Sequence, residues 1–349
     1  MKAIVVREHG GLEALKVESR PIPEPGPGEV RVQLEAAALN HLDVWVRKGV
    51  PGVKYPLPMV LGCDGAGVIA ALGEGVSGLT VGDKVVLAPG LACGACGACS
   101  MGKDHLCRHY GILGEHRDGT FAETIVVPAK NALPKPSNLT FAEAATVPLV
   151  FLTAWHMLVD RAELQLGEDV LIHAAGSGVS TAGIQIAKLL QARVMVTAGS
   201  KEKLKQAQVL GADLGVNYRE EDFAAIAKSW TGKRGLDVIF DHVGKETWGP
   251  NLRSLTRGGR LVLCGNTSGP MAETSLPHIF FKSLSVLGST MGSRGELHTI
   301  LELVSSGKLK PVLHETIQLK DIAKGHRMLE ERSVFGKVAV AIGEHHDQS

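Results

Sequence analysis

No apolar run in the 349 residues reaches the roughly 18 needed to span a bilayer, and the opening MKAIVVREHG lacks the pattern of a secretory leader. Neither sign of charge dominates, since 37 Lys and Arg against 36 Asp and Glu leave a net charge of +1. Without a basic stripe or a polybasic cluster, nothing recommends nucleic acid or an anionic membrane as a partner. Internal repeats and low-complexity segments are missing as well. Cysteine is scarce outside one segment: of six, four fall between positions 93 and 107. That distribution reads as metal ligation in a reducing compartment rather than as a disulfide framework. These absences lead to the expectation of a soluble, cytoplasmic globular protein.

What is present suits that expectation. A hydrophobic content of 44 % and 42 glycines allow a well-buried core with many tight turns. The length suffices for about two domains at ~150 residues each. The first third reads as β-rich: KAIVVRE, EVRVQLEAAAL, GAGVIAALG and DKVVLAP are short apolar runs set apart by turn signals such as PIPEPGPGE and GEGVSG. From about residue 140 the rhythm changes. FAEAATVPLVFLTAWHMLVD has a helical pattern, after which strand-like and helical runs alternate from DVLIHAA to GRLVLCG. Continuous apolar strands between helices indicate a parallel sheet covered on both faces. GELHTILELVSSG and KVAVAIG can complete the first domain, so residues 1–150 with 291–349 are expected to form one domain and 151–290 the other. The polar tail GEHHDQS is expected to fray.

DVLIHAAGSGVSTAGIQIAKLL is a strand, a glycine-rich turn and a helix. Glycines let backbone approach a pyrophosphate, and a helix start offers free N–H groups. Gly176 and Gly178 supply two glycines, Val179 follows, and Ser180 with Thr181 occupies the region of a third. An NAD site usually places an acid at the end of the second strand to hold the ribose hydroxyls. Here that position is Ala198, followed by Ser200, Lys201 and Lys203, with Tyr218 ending the next strand. An acid would repel a 2′-phosphate, and ammonium groups attract one, so the reading favours NADP(H) over NAD(H).

Cys93, Cys96, Cys99 and Cys107 stand as C-x2-C-x2-C-x7-C. Four thiolates form a closed shell with no place for water or substrate, so such an ion orders its loop and does no chemistry.

With these residues in view, the chain resembles the medium-chain dehydrogenase/reductase superfamily, which includes zinc alcohol dehydrogenases, quinone oxidoreductases and enoyl reductases. PGPGEVRVQLEAAALNHLD, LGCDGAGVIAALGEGVSGLTVGDKV, GTFAETIVVPA, GSGVSTAGIQIAK and LGADLGVNY carry the resemblance over nearly the full length. It implies an α/β protein: a chaperonin-10-like, β-rich catalytic domain interrupted by a Rossmann domain, with the active site in the cleft between them. It also implies one structural zinc on the four cysteines, in a lobe at about residues 90–110. The catalytic zinc of the alcohol dehydrogenases has ligands in motifs whose places here hold Asn40, Cys63 with Asp64, and approximately Leu149. An amide is a poor zinc ligand and leucine is none. Cys63 and Asp64 remain, with His41 near them in sequence, and they define the alternative of a zinc alcohol dehydrogenase with an unusual ligand set.

Without that metal, a quinone or an α,β-unsaturated carbonyl is the easier acceptor, because the negative charge delocalises into a phenolate or enolate that neutral donors can stabilise. LNHLDVWVRKG resembles the Asn-x-x-Asp pattern of quinone oxidoreductases and enoyl reductases. The resemblance makes Asn40 the donor to the substrate oxygen and Asp43 its orienting partner or a cleft wall. Their structural alternative is a helix cap at Asn40 and an Asp43–Arg47 pair. The tyrosine of mitochondrial-type enoyl thioester reductases has no counterpart, its place falling at Pro51, so His41, Tyr55, Cys63 and solvent stay open as proton source. Thr153 resembles the threonine beside the nicotinamide, and Lys337 a lysine near the cofactor. Val243 and Gly244 follow the fourth Rossmann strand and Gly265 and Asn266 the fifth, where strand ends line a cofactor crevice. SLSVLG at 283–288 resembles the edge strand through which family members pair, implying a homodimer or homotetramer. The expected activity is NADPH-dependent reduction of an activated C=C bond or quinone in a substrate with a conjugated carbonyl. A further alternative is a non-enzymatic NADPH-binding sensor or structural protein.

Overall fold

Glu29–Ala38 is a ten-residue strand whose Val30, Val32, Leu34 and Ala36 are buried at every second position, as the two-residue repeat of a pleated strand requires. In the computed structural model, which describes residues 1–342, this strand is the axis of a seven-stranded sheet. The order is Ala132–Pro134, Lys84–Leu87, Asp64–Leu72, Glu29–Ala38, Lys337–Ala341 and Leu313–Gln318, with Thr124–Pro128 also pairing to Glu29–Ala38. The polar tail from residue 343, expected to fray, lies outside the described residues. A three-stranded sheet of Lys16–Ser19, Lys2–Val6 and Met59–Val60 encloses a core that includes Ile4, Leu39, Leu61, Phe121 and Val338.

The chain divides into two units, Met1–Leu149 with the segment from Ser293 onward, and Val150–Gly292. Register places the chemistry of the first. Asp64 and Ala38 are partners in one antiparallel ladder, and Ala38 and Ala339 in the next. Antiparallel pairing therefore sets the beginnings of Asp64–Leu72 and Lys337–Ala341 beside the end of Glu29–Ala38, where Asn40 follows.

The second unit is a six-stranded, wholly parallel sheet in the order Leu214–Asn217, Arg193–Ala198, Asp169–Ile172, Leu236–Asp241, Leu255–Leu263, Ser285–Gly288. The central strand Asp169–Ile172 is buried throughout, as a strand covered on both faces must be. The fold class is thus α/β, a β-rich unit with a doubly wound parallel-sheet unit. The long helical pattern at 141–161 is not one helix. Phe141–Ala145 ends before Pro148, whose ring cannot donate to the preceding turn; Pro148–Trp155 then begins, and a π-helical turn, His156–Arg161, closes it. No helix among the described residues is long and apolar enough to cross a membrane.

Candidate functional site

Asn40 is the N-cap of the helix His41–Lys48, in extended conformation. Three residues on, Asp43 turns its carboxylate back and accepts the Asn40 backbone N–H at 2.7 Å and the Gly62 N–H at 3.2 Å. Gly62 has φ +94°, and a Cβ there would lie 2.6 Å from Thr120 Oγ1, so only glycine lets this turn deliver its N–H to Asp43. Arg47 does not pair with Asp43. Its Nη2 reaches Glu330 at 2.6 Å instead.

The side chain of Asn40 points into a buried polar cluster. Its Nδ2 donates to Asp64 Oδ2 at 2.8 Å and to Cys63 Sγ at 3.2 Å. Asp64 is fully buried, and its Oδ1 accepts the Leu149 N–H at 2.9 Å. Lys337, 4 % exposed, donates from Nζ to Leu39 O at 2.7 Å, to Asn40 Oδ1, and to Asp64 Oδ2 at 3.2 Å. Lys337 is therefore not a surface lysine: its three donors face protein acceptors in the first unit. Lys337 opens the strand KVAVA, whose first four residues are all buried.

Burial dominates the electrostatics here. It pushes the Asp43 carboxyl up to about 7, with Asp64 adding to the rise, while the backbone N–H groups and Lys337 oppose it. Burial and the two neighbouring carboxylates hold the Cys63 thiol well above its usual range, so it stays protonated. A metal here would meet a carboxylate that already accepts three N–H bonds. An ammonium stands beside it, and Leu149 offers no ligand atom. That donor set does not fit the open three-ligand site of a catalytic zinc.

The four-cysteine lobe fits a metal well. Its sulfurs all lie within 4.8 Å of one another, with Cys96–Cys99 and Cys93–Cys107 at 3.5 Å and Cys93–Cys99 at 3.9 Å. A tetrahedral zinc with sulfurs at about 2.3 Å sets them about 3.8 Å apart. Backbone support is present too, since the His109 N–H donates to Cys107 Sγ at 3.4 Å.

In the second unit, Gly176 and Gly178 lead into the helix Gly178–Leu189, with Ser177 as N-cap accepting from the Ser180 N–H. Ser180 takes the place of a third glycine because its side chain has somewhere to go: fully buried, its Oγ donates to His173 O at 2.7 Å. His242 Nε2 lies 3.1 and 3.0 Å from the hydroxyls of Ser177 and Ser180, a contact with no sequence signal. Val243 and Gly244 are held by Asp241, whose Oδ1 accepts both N–H groups at 2.6 and 3.3 Å. Gly244 has φ +90°, and a Cβ there would sit 3.0 Å from the Asn266 Cα. The ends of the fourth and fifth strands therefore touch, with Gly265 beside His242. At the end of the second strand, Ser200 caps the next helix and accepts the Lys203 N–H at 3.4 Å. A Cβ on Gly199 would lie 2.7 Å from Tyr218 Oη and 3.1 Å from Arg219 Nε. Arg219 is a cation that sequence reasoning missed. Thr153 is buried, its hydroxyl 4.0 Å from Met291 Sδ.

Residues 26–137 match the alcohol dehydrogenase GroES-like domain, and residues 178–306 match the zinc-binding dehydrogenase family. The chain is 34 % identical over 346 residues to the acryloyl-coenzyme A reductase of Metallosphaera sedula, covering 97 % of this chain and 99 % of that one. It is 31 % identical over 347 residues to the quinone oxidoreductase of Salmonella typhimurium, covering 95 % and 97 %. A crystal structure described as an NAD-dependent alcohol dehydrogenase superposes with a TM-score of 0.95 at 53 % identity, covering 98 % of this chain and all of that one. The chain belongs to the medium-chain dehydrogenase/reductase superfamily and is an NAD(P)-dependent oxidoreductase.

Proposed function

We propose that the protein is an NADPH-dependent reductase of activated C=C bonds or quinones, carrying one structural zinc on Cys93, Cys96, Cys99 and Cys107 and none at Cys63 and Asp64. The buried Asn40–Asp64–Lys337 cluster carries this reading. It leaves no open metal position and presents an amide where the alcohol dehydrogenases have a metal ligand. Relatives named acryloyl-coenzyme A reductase and quinone oxidoreductase support an acceptor of this class. Bound NADPH would supply the hydride for the conjugated acceptor. One Asn40 N–H bonds Asp64, while the other is shared between a long contact to Ala38 O at 3.4 Å and a neutral thiol, weak partners that an enolate or phenolate oxygen can displace. Asn40 then bonds the oxygen as its charge grows, and a proton completes the reduced product.

Ala198 in place of an acid, with Tyr218 and Arg219 beside Gly199 and Ser200 capping the helix that carries Lys203, supports NADPH as the cofactor. Pairing of two copies through Ser285–Gly288 is supported by its position at the sheet edge and by exposed Leu276, Phe280 and Phe281 on the preceding helix.

A second reading, an NAD-dependent alcohol dehydrogenase, is favoured by the description of the 53 % identical structure. One experiment separates the two: NADPH and NADH oxidation across enones, quinones and enoyl thioesters, alongside alcohol oxidation, with zinc counted on the same sample. The proposed function expects NADPH oxidation and one zinc per chain. Two zincs per chain, with alcohol oxidation lost on chelation, would establish the second reading.

A further inference from the structure

The proposed function leaves a question about Asn40. A neutral amide is a modest donor, and a side-chain amide free to rotate by 180° would present its oxygen to the substrate as readily as its N–H groups. The cluster answers both points. Lys337 has only donors, and Asp64 Oδ2 accepts from both Asn40 Nδ2 and Lys337 Nζ. With Lys337 Nζ on Oδ1 and Asp64 Oδ2 on Nδ2, one orientation of the amide is satisfied, and the flipped one sets like against like. The lysine is itself held by Leu39 O and Asp64, so its ammonium cannot swing away. A cation on the amide oxygen draws charge off the nitrogen, and in a buried setting that polarisation strengthens the N–H as a donor.

We propose that Lys337 is a positioning residue that fixes and polarises Asn40, so that a buried organic cation, acting through an amide, does the work that a metal does in the alcohol dehydrogenases. The inference rests on the reductase reading. It adds a selectivity: the charge reaches the substrate oxygen through one intervening amide, so conjugated carbonyls, which delocalise their charge, are reduced and unconjugated ketones are not. Asp64 neutralises Lys337 and holds the amide, and the Cys63 thiol marks the N–H left for the substrate.

The test uses the full-length protein with NADPH and a set of variants at Lys337. Lys337→Met is expected to lower kcat on a conjugated acceptor by roughly 100-fold with KM and NADPH affinity little changed. Lys337→Arg, which keeps the positive charge, is expected to recover activity to within about tenfold of wild type. Lys337→Met combined with Asp64→Asn removes the unpaired carboxylate, so it keeps the test usable if the single variant folds poorly. A second readout needs no turnover. 4-(Dimethylamino)cinnamaldehyde, a conjugated aldehyde whose absorption moves to longer wavelength when its oxygen is polarised, is expected to show a red shift on wild-type protein and Lys337→Arg, and none on the methionine variants. Equal kcat and equal spectral shift in wild type, Lys337→Met and the double variant would overturn the inference while leaving the reductase reading intact. Wild-type protein that reduces no conjugated acceptor would overturn that reading itself.

Discussion

Asp43 faces two opposed influences, burial that favours its neutral form and two backbone N–H bonds that favour the carboxylate. With burial ahead, its pKa lies at about 7 in the fold against the ordinary 3.8. The sign follows from linkage: between about pH 4 and pH 7 the native state holds a proton that the unfolded chain has released, so stability falls as pH rises through that window. Carboxyl NMR of Asp43 is expected to titrate near pH 7, and a midpoint near 4 would show that the N–H bonds and Lys337 outweigh burial. Lys337→Met strands a fully buried Asp64 and is expected to cost about 3–5 kcal/mol, measured by denaturant unfolding. Lys337→Met on an Asp64→Asn background should cost much less. At this scale Asn40, Asp43, Cys63 and Asp64 were legible as a group from their motifs, because each lies within a short segment. The contribution of Lys337 was not, since its hydrogen bond to Asn40 spans 297 residues.

The glycine turn and the four-cysteine lobe are elements whose chemistry is local, and both could be read from spacing. Ala198→Asp places an acid at the end of the second strand, beside Ser200 and the Tyr218–Arg219 pair. It is expected to shift cofactor preference toward NADH by at least tenfold in kcat/KM, and an unchanged ratio would remove the phosphate-site argument. For the lobe, Cys96→Ser is expected to release zinc and to open residues 92–107 to proteolysis, with the parallel sheet intact by circular dichroism. Retention of one zinc per chain by that variant would put the ion elsewhere. The break before Pro148 is the one that proline dictates, but the π-helical turn His156–Arg161 was not legible, because the pattern stays helical through it. Arg219 and His242 were missed for another reason: a loop cation and a strand-end histidine carry no spacing that sets them apart from surface residues.

For the whole molecule, the six-stranded sheet ends at Ser285–Gly288, which pairs on one side with Leu255–Leu263. Phe280 and Phe281 on the neighbouring helix are 61 % and 67 % exposed, an unusual cost for aromatic side chains on a free surface. Light scattering of the purified protein is expected to give a dimer or tetramer, and Phe281→Glu with Val286→Glu to give a monomer. A wild-type monomer at micromolar concentration would remove the pairing proposal.

The sequence by itself determined the alternating strands, the glycine turn, the clustered thiols and the Asn-x-x-Asp motif, since each depends on neighbours within a turn or a strand. Only the tertiary structure decided what stands beside Asn40. Antiparallel register brings the beginnings of two strands, 273 residues apart at Asp64 and Lys337, against the end of a third. In the low dielectric of that corner, one lysine and one aspartate fix which way a single amide faces.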